Sequence, residues 1–343
     1  MSFFNQAKNR KPGFNLALFS VGVAIIVVGL GAFTRLADAG LGCPDWPGCY
    51  GHLTWPDEAH EIHAANEAFP HAPVELDKTW PEMVHRYFAS SLGLLCIFIL
   101  VFAFRSKVAD QPKKLPVFLL AFIILQGMFG MWTVTLKLWP QVVTAHLMGG
   151  FTTLSLLWLM TLRLNNQRWA LLGVQKPPLE RLKPFAILSF LVVVCQIAIG
   201  GWLTSNYAAV ACPDLPFCQG QLVPPMDFAQ GFDIFQHVGP NYLGGQLDND
   251  ARVAIHMSHR LGAFVVLIAV SYMVYRLFRC DIEAARPLAR VMGAVLVLQI
   301  LLGLANVFFN LPIAIATAHN LVGAMLLLTQ VTMLYYLYTA EVK

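Results

Sequence analysis

Eight apolar runs of about 20 residues, centred on 15–34, 84–104, 116–136, 142–162, 184–204, 253–275, 288–309 and 313–338, limit what this chain can fold into. A helix of that length crosses a hydrocarbon core of about 30 Å. Composition agrees, since 12% of the residues are charged where a soluble domain carries about 25%. The first run follows a polar start, MSFFNQAKNRKPGFN, and no small-residue cleavage site comes after it. It is therefore expected to be a retained span and not a signal peptide.

Basic residues orient the spans. Seventeen of the 23 lysines and arginines fall on one side, from Lys8, Arg10 and Lys11 through the links between spans 2 and 3, 4 and 5, and 6 and 7, to Lys343. The other side holds Arg35, Lys78, Lys137 and Arg252, with Arg86 and Arg260 at its span ends. This bias predicts cytoplasmic termini and two long outer loops, 35–80 and 205–252. The net charge of +4 then reports topology and gives no reason to expect nucleic acid as a partner.

The chain repeats itself. GCPDWPGC at 42–49 returns as ACPDLPFC at 211–218, EMVHR at 82–86 as HMSHR at 256–260, and TAH at 144–146 as TAH at 317–319. An even number of spans separates the copies, so both share one orientation. The expected fold is an all-α polytopic membrane protein, its eight transmembrane helices arranged as two tandem, pseudo-symmetric four-helix bundles, 1–165 and 166–343.

The four loop cysteines, Cys43, Cys49, Cys212 and Cys218, all lie on the outer side, where disulfides persist. Within each pair five residues separate the sulfurs and two prolines stiffen the turn, so closure of each pair on itself is expected. A structural staple and a redox-active dithiol both remain open, because an exposed short-loop disulfide exchanges readily.

Of ten histidines, His52, His60, His63, His71 and His237 lie in loops. His85 in span 2 and His146 in span 4 lie at matched depth, and His259 in span 6 and His319 in span 8 repeat the arrangement. Ionisable side chains at membrane depth mark functional sites, and two facing imidazoles suit a heme iron with two axial ligands. Zinc or copper would recruit more ligands. The small residues at 147–150, Gly262 and Gly323 are expected to leave room for a flat macrocycle. Arg86 and Arg260 are placed to pair with heme propionates or, alternatively, to snorkel to the interface. Gln126, Gln196 and Gln299, each four residues before a glycine, are expected to mediate helix contacts.

The copies differ where Glu82 in the first is replaced by His256 in the second. Glu82 precedes His85 by three residues and so shares its helical face, one turn nearer the outside. A carboxylate there can handle protons at a heme edge, or it is an interfacial residue at the span end. The first reading makes the first bundle the site of chemistry and the second an electron-handling site.

GAFTRLADAGLGCPDWPGCYG (31–51), EMVHRYFAS (82–90), TAHLMGG (144–150), HMSHRLGA (256–263) and TAHNLVGA (317–324) resemble the heme A synthase family, bacterial and mitochondrial, over nearly the whole chain. The resemblance implies an oxidoreductase acting on a CH group, which oxidises a ring methyl of heme O to the formyl of heme A for cytochrome oxidase biogenesis. It implies that His85 and His146, with Arg86, bind the substrate heme, that Glu82 is catalytic, and that His259 and His319, with Arg260, hold heme b as cofactor. It further implies the heme O-making farnesyltransferase as partner, an electron acceptor of unknown identity, surrounding lipid, a bacterial inner-membrane location, and room for a homo-oligomer. The stretch 57–78 exceeds the shortest family pattern and has no assigned role. A di-heme electron carrier linked to quinone explains the four histidines but not Glu82. A quinone-linked thiol oxidase explains the cysteines but needs no histidine pairs.

Overall fold

The structure, a computed structural model, describes residues 10–342; Lys8 and Lys343 of the charge argument lie outside them. Eight helices are long and apolar enough to span a membrane: α1 (Phe14–Leu36), α3 (Leu76–Arg105), α4 (Lys114–Thr135), α5 (Pro140–Asn165), α7 (Lys183–Ser205), α9 (Asn249–Arg279), α10 (Ala285–Phe308) and α11 (Ile313–Thr339). Short helices α2 (Ala59–Ala68), α6 (Lys176–Glu180) and α8 (Phe228–Gly231) lie in the connections. This is the expected all-α polytopic membrane protein.

Local chemistry sets the helix ends. Pro140 occupies the first turn of α5, where its missing N–H costs nothing, and Asn166 closes that helix in the left-handed conformation at φ 54°. Two spans begin earlier than hydropathy indicates, α3 at Leu76 instead of 84 and α9 at Asn249 instead of 253. Their first turns are polar, so an apolar count misses them. Glu82 therefore lies inside a helix and not at its frayed end.

Helices α1, α3, α4 and α5 pack in a closed ring, each on its two neighbours, and α7, α9, α10 and α11 form a second. The rings meet where α11 packs on α1 and α5, and α5 on α7. Half of α11's apolar window is buried, against 11% for α4 and α10: α11 touches both rings, whereas α4 and α10 face outward. Leu261, Phe264 and Ile268 form an exposed stripe on α9 at helical spacing, the surface that hydrocarbon solvates.

Polar contacts tie the rings together at both ends. Thr144 and Ser205 hydroxyls meet at 2.8 Å, and Arg35 donates to the Thr204 carbonyl at 2.6 Å while lying over the Tyr207 ring. The second long loop crosses to the first ring, with Tyr242 N–H donating to the Lys137 carbonyl at 3.0 Å. At the opposite end Trp158 Nε1 donates to Thr332 at 2.7 Å, and β1 (Ala170–Leu171) pairs in parallel with β2 (Glu341–Val342).

Candidate functional site

Each Cys-Pro-Asp loop closes on itself. Cys43 bonds Cys49, and Cys212 bonds Cys218. The aspartate builds the turn: Asp45 accepts from the Tyr50 and Gly51 N–H groups at 2.6 and 2.8 Å, and Asp214 from Gln219 and Gly220 at 2.7 and 2.8 Å. Those donors lie on chain that has turned left-handed, at φ 53° for Tyr50 and 54° for Gln219, where an aspartate side chain supplies the acceptor the backbone lacks. The half-cystines are at most 1% exposed. Of the two readings left open, this covered setting suits a staple better than a readily exchanging bond. Tyr50, Met83 and Trp55 cover the first pair, and Val253, Met226 and Met257 the second.

The stretch 57–78 contributes to that cover. Ala65 of α2, with Phe69 and Val74, joins the cluster around Cys43 and Cys49. Its histidines pair with carboxylates nearby, His60 with Glu58 and His63 with Glu67. Tyr50 donates its hydroxyl to the Pro73 carbonyl, and burial pushes that hydroxyl's pKa up to about 12, so it stays a donor at any physiological pH.

Arg86 and Arg260 grip the two loops from beneath. Arg86 donates to the carbonyls of Asp45, Pro47 and Gly48 at 3.1, 3.2 and 2.5 Å. Arg260 donates to those of Cys212, Asp214 and Phe217 at 2.8–2.9 Å. Motif reasoning offered propionate pairing or snorkelling for both arginines and missed this grip on the loops. Only the spatial fold brings a helix residue under a loop 38–48 positions away.

Beyond that grip the copies part. Glu82, 5% exposed, receives the other Arg86 nitrogen at 2.5 Å and the Cys43 N–H at 3.0 Å. A Cβ on Gly42 would collide with the Lys78 carbonyl, so glycine is what lets the loop approach closely enough for that second bond. His256, in the equivalent place and equally buried, instead donates from Nδ1 to the Ala208 carbonyl at 3.0 Å.

Inside each ring, two histidines alternate with two glycines, one from each helix. His85 of α3 and His146 of α5 stand with centroids 6.5 Å apart and planes at 89°. A Cβ on Gly31 of α1 would lie 3.0 Å from the His85 ring, and one on Gly130 of α4 would lie 3.3 Å from the His146 ring. Gly200 of α7 faces His259 of α9, and Gly303 of α10 faces His319 of α11, both at 3.1 Å by the same measure. These four glycines make the room. The glycines singled out from sequence for a macrocycle serve otherwise: Gly149, Gly262 and Gly323 are filled by the amides of Gln126, Gln196 and Gln299.

Those glutamines reach the histidines, a role beyond the helix contacts expected of them. The Gln126 amide nitrogen lies 2.9 Å from His146 Nδ1, that of Gln196 3.1 Å from His259 Nδ1, and that of Gln299 3.3 Å from His319 Nε2. The signal was present as a glutamine four residues before each ring-facing glycine. One helical turn puts the amide beside whatever that glycine faces.

The donor set fits a heme. A metal–imidazole bond is about 2 Å and the ring centroid lies roughly 1 Å further, so rings on opposite sides of one ion stand about 6 Å apart, close to the 6.5 Å between His85 and His146. Among the described residues no three His, Cys, Asp or Glu side chains gather into a metal site, whereas an iron carried by a macrocycle needs only two axial ligands. Nδ1 of His85, Nδ1 of His319 and Nε of Arg260 are buried with no hydrogen bond of good geometry to a partner among the described residues.

Known proteins give this arrangement its context. The COX15-CtaA family, described as cytochrome oxidase assembly protein, matches residues 14–331. A protein of Shewanella oneidensis named heme A synthase is 45% identical over 316 residues, covering 92% of this chain and 93% of its own. Proteins of the same name from Methylobacterium radiotolerans and Rickettsia prowazekii are 29% and 24% identical, covering 95% and 92% of this chain and 90% and 95% of theirs. Similar along nearly its whole length, and with eight spanning helices, the chain belongs to the COX15-CtaA family of cytochrome oxidase assembly proteins.

Proposed function

We propose that the chain is a heme A synthase, an oxidoreductase that converts the ring methyl of heme O to a formyl group. The observation carrying this reading is Glu82: a buried carboxylate, clamped by Arg86 and the Cys43 N–H, one helical turn from His85, with no carboxylate in the equivalent place of the second ring. Residues 1–165 are the substrate domain and 166–343 the cofactor domain. His85 and His146 flank heme O, and Arg86 and Arg260 direct what donor capacity the loops leave them toward propionates. His259 and His319 hold heme b, which when bound supplies one-electron redox chemistry.

The methyl group and one water together release four electrons and four protons, two protons from the carbon and two from the water whose oxygen enters, in two two-electron stages. Glu82 accepts protons and stabilises positive charge developing at that carbon. Arg86 and the Cys43 N–H keep the carboxylate aimed, since each fixes one Glu82 oxygen. The covered Cys43–Cys49 loop shields that side of the site from bulk water. Electrons leave to an acceptor outside the chain, and heme O arrives from the membrane-bound farnesyltransferase. The protein sits in the bacterial inner membrane with cytoplasmic termini and outward loops. Pigment extraction after supply of heme O tests the reading. Heme A identified by mass supports it; heme b alone supports a di-heme electron carrier, and no heme a thiol oxidase.

A further inference from the structure

Where the rings meet, α5 packs on α11, leaving one groove shared with α1 and another shared with α7. The internal repeat relates the two grooves. TAH at 144–146 and 317–319 aligns α5 with α11, and Cys43 with Cys212 aligns α1 with α7. Trp158 therefore matches Val331, Arg163 matches Tyr336, and Val21 matches Phe190.

Protein side chains fill the groove beside α1. Trp158 donates Nε1 to Thr332 at 2.7 Å, and Trp169 stacks on Tyr336 with centroids 5.1 Å apart and planes at 5°. Trp169 and Val21 are buried there. The groove beside α7 is built otherwise. Val331 and Arg163 stand where the tryptophan and the stacked tyrosine stand in the first, and with Phe190 they line a cavity of about 570 Å³. Two large rings have been replaced by a small side chain and a cation, on two different helices of one groove.

The cavity is apolar along its length and polar at one end. Its wall on α5 runs from Met148 to Arg163, about 22 Å of helix, more than the roughly 15 Å of hydrocarbon in one leaflet. Thr152 spends its hydroxyl on the Met148 carbonyl of its own helix, and the Ser155 hydroxyl is buried. Arg163, Tyr335 and Tyr338 gather at the mouth, at the end of the molecule where lysine and arginine are concentrated. Nearby, Arg168 pairs with Glu341 and Lys183 with Glu180, whereas Arg163 pairs with no carboxylate among the described residues. Apolar walls that end on an uncompensated cation fit an amphiphile with an anionic head. An isoprenoid quinone positioned to take electrons would place its polar head deep, toward His146 and His259, where Met148 and Ile197 offer it no donor.

We propose that the groove between α5, α7 and α11 binds one anionic glycerophospholipid, its phosphate on Arg163 and one acyl chain along α5 toward Met148. Lipid then fills on this side of the ring contact the space that Trp158 and Tyr336 fill on the other. The proposal is independent of the heme reading above.

Native mass spectrometry of the full-length protein in detergent tests it, with palmitoyl-oleoyl phosphatidylglycerol as probe and phosphatidylcholine of the same chains as control. Wild type should bind one phosphatidylglycerol about fivefold more tightly than phosphatidylcholine, the effect of one basic residue on an anionic head. Arg163→Gln should remove that preference. Val331→Trp should abolish this binding and, because it fills the cavity from within, leave the lipid-free melting temperature at or above that of wild type, an outcome that misfolding cannot imitate. Should Val331→Trp not fold, Arg163→Gln at its exposed helix end decides alone. Equal affinity for the two lipids in wild type, or a preference that survives either variant, would overturn the proposal. So would an isoprenoid quinone that accompanies wild type one to one and is absent from Val331→Trp.

Discussion

The first and second helix rings hold the same loop on the same arginine, yet only in the first does that arginine also hold a carboxylate. Arg86 divides its donors between the loop carbonyls and Glu82. Arg260 gives its two terminal nitrogens to the loop, and its Nε has no partner among the described residues. His256, where a carboxylate would stand, turns to the Ala208 carbonyl. A duplicated scaffold thus separates support from chemistry. Whatever both copies share stabilises a loop over a two-histidine interior, and whatever one copy has alone is a candidate for the reaction or for its selectivity.

The comparison breaks most directly at Glu82. Glu82→Gln keeps the shape and one acceptor for the Cys43 N–H but removes the charge. Heme A output should fall about 100- to 10,000-fold, the usual worth of a positioned acid or base, while the heme of the second ring keeps its absorbance. Mass analysis of extracted pigment beside the visible spectrum of the same sample checks both halves. Undiminished heme A would make Glu82 a structural carboxylate.

A smaller effect separates the arginines. Arg86→Lys cannot reach the Gly48 carbonyl and Glu82 together, because an ammonium lacks the planar fork. Losing one charge-assisted hydrogen bond of about 1.5–3 kcal/mol to the carboxylate should lower turnover about 10- to 100-fold. Arg260→Lys disturbs a loop with no carboxylate behind it, so heme A per bound heme should stay within about twofold. Equal losses of turnover in the two variants would erase the distinction drawn between the rings.

The scaffold was legible in the sequence wherever its determinant was local. Apolar runs located all eight spans, because hydrocarbon rewards every residue of the run alike. Cysteine spacing located both disulfides, and the repeat paired His85 with His259 and His146 with His319. Contacts set by the meeting of helices were not legible. Gln126, Gln196 and Gln299 looked like ordinary interhelical polar residues, because the helical turn from each to its glycine is informative only once the fold shows which histidine that glycine faces. Gly149 and Gly262 looked like space for a ligand and are space for those amides. The early starts of α3 and α9 were missed because polar first turns owe their order to the loops packed on them. Glu82 stood out along the chain, because the repeat itself exposes a substitution at an otherwise matched position.

Smaller again is the contrast between the disulfides. Each pair should contribute about 2–4 kcal/mol to stability by shortening the unfolded chain, so the double alanine variants of Cys43 and Cys49 and of Cys212 and Cys218 should melt at similarly lowered temperatures. Activity should distinguish them. The Cys43 N–H bonds Glu82, so freeing that loop should cost severalfold in heme A per bound heme, and freeing the second loop nothing measurable. Identical activity losses would mean that both loops act only through global stability.

The smallest expected effect concerns the aspartate of the second loop. The Gly220 N–H, with Gln219 N–H and the nearby Arg260 charge, holds the Asp214 carboxyl below the usual carboxylate range. A carboxylate whose pKa is lowered on folding stabilises the fold above its unfolded-state value, near 4, and loses that contribution as pH falls through the lowered value. The melting temperature of wild type should therefore exceed that of Asp214→Asn by a constant margin from pH 8 down to about pH 5, and the margin should shrink below about pH 4. Because Asp214 is partly open to solvent, the margin should be small and narrower in high salt. Turnover should not follow it: the loop that Asp214 orders rests on Arg260, which faces no carboxylate of the Glu82 kind. A loss of heme A per bound heme in Asp214→Asn, at a pH where its melting temperature is unchanged, would show that the second loop also reaches the chemistry, and the division between the two rings would have to be redrawn.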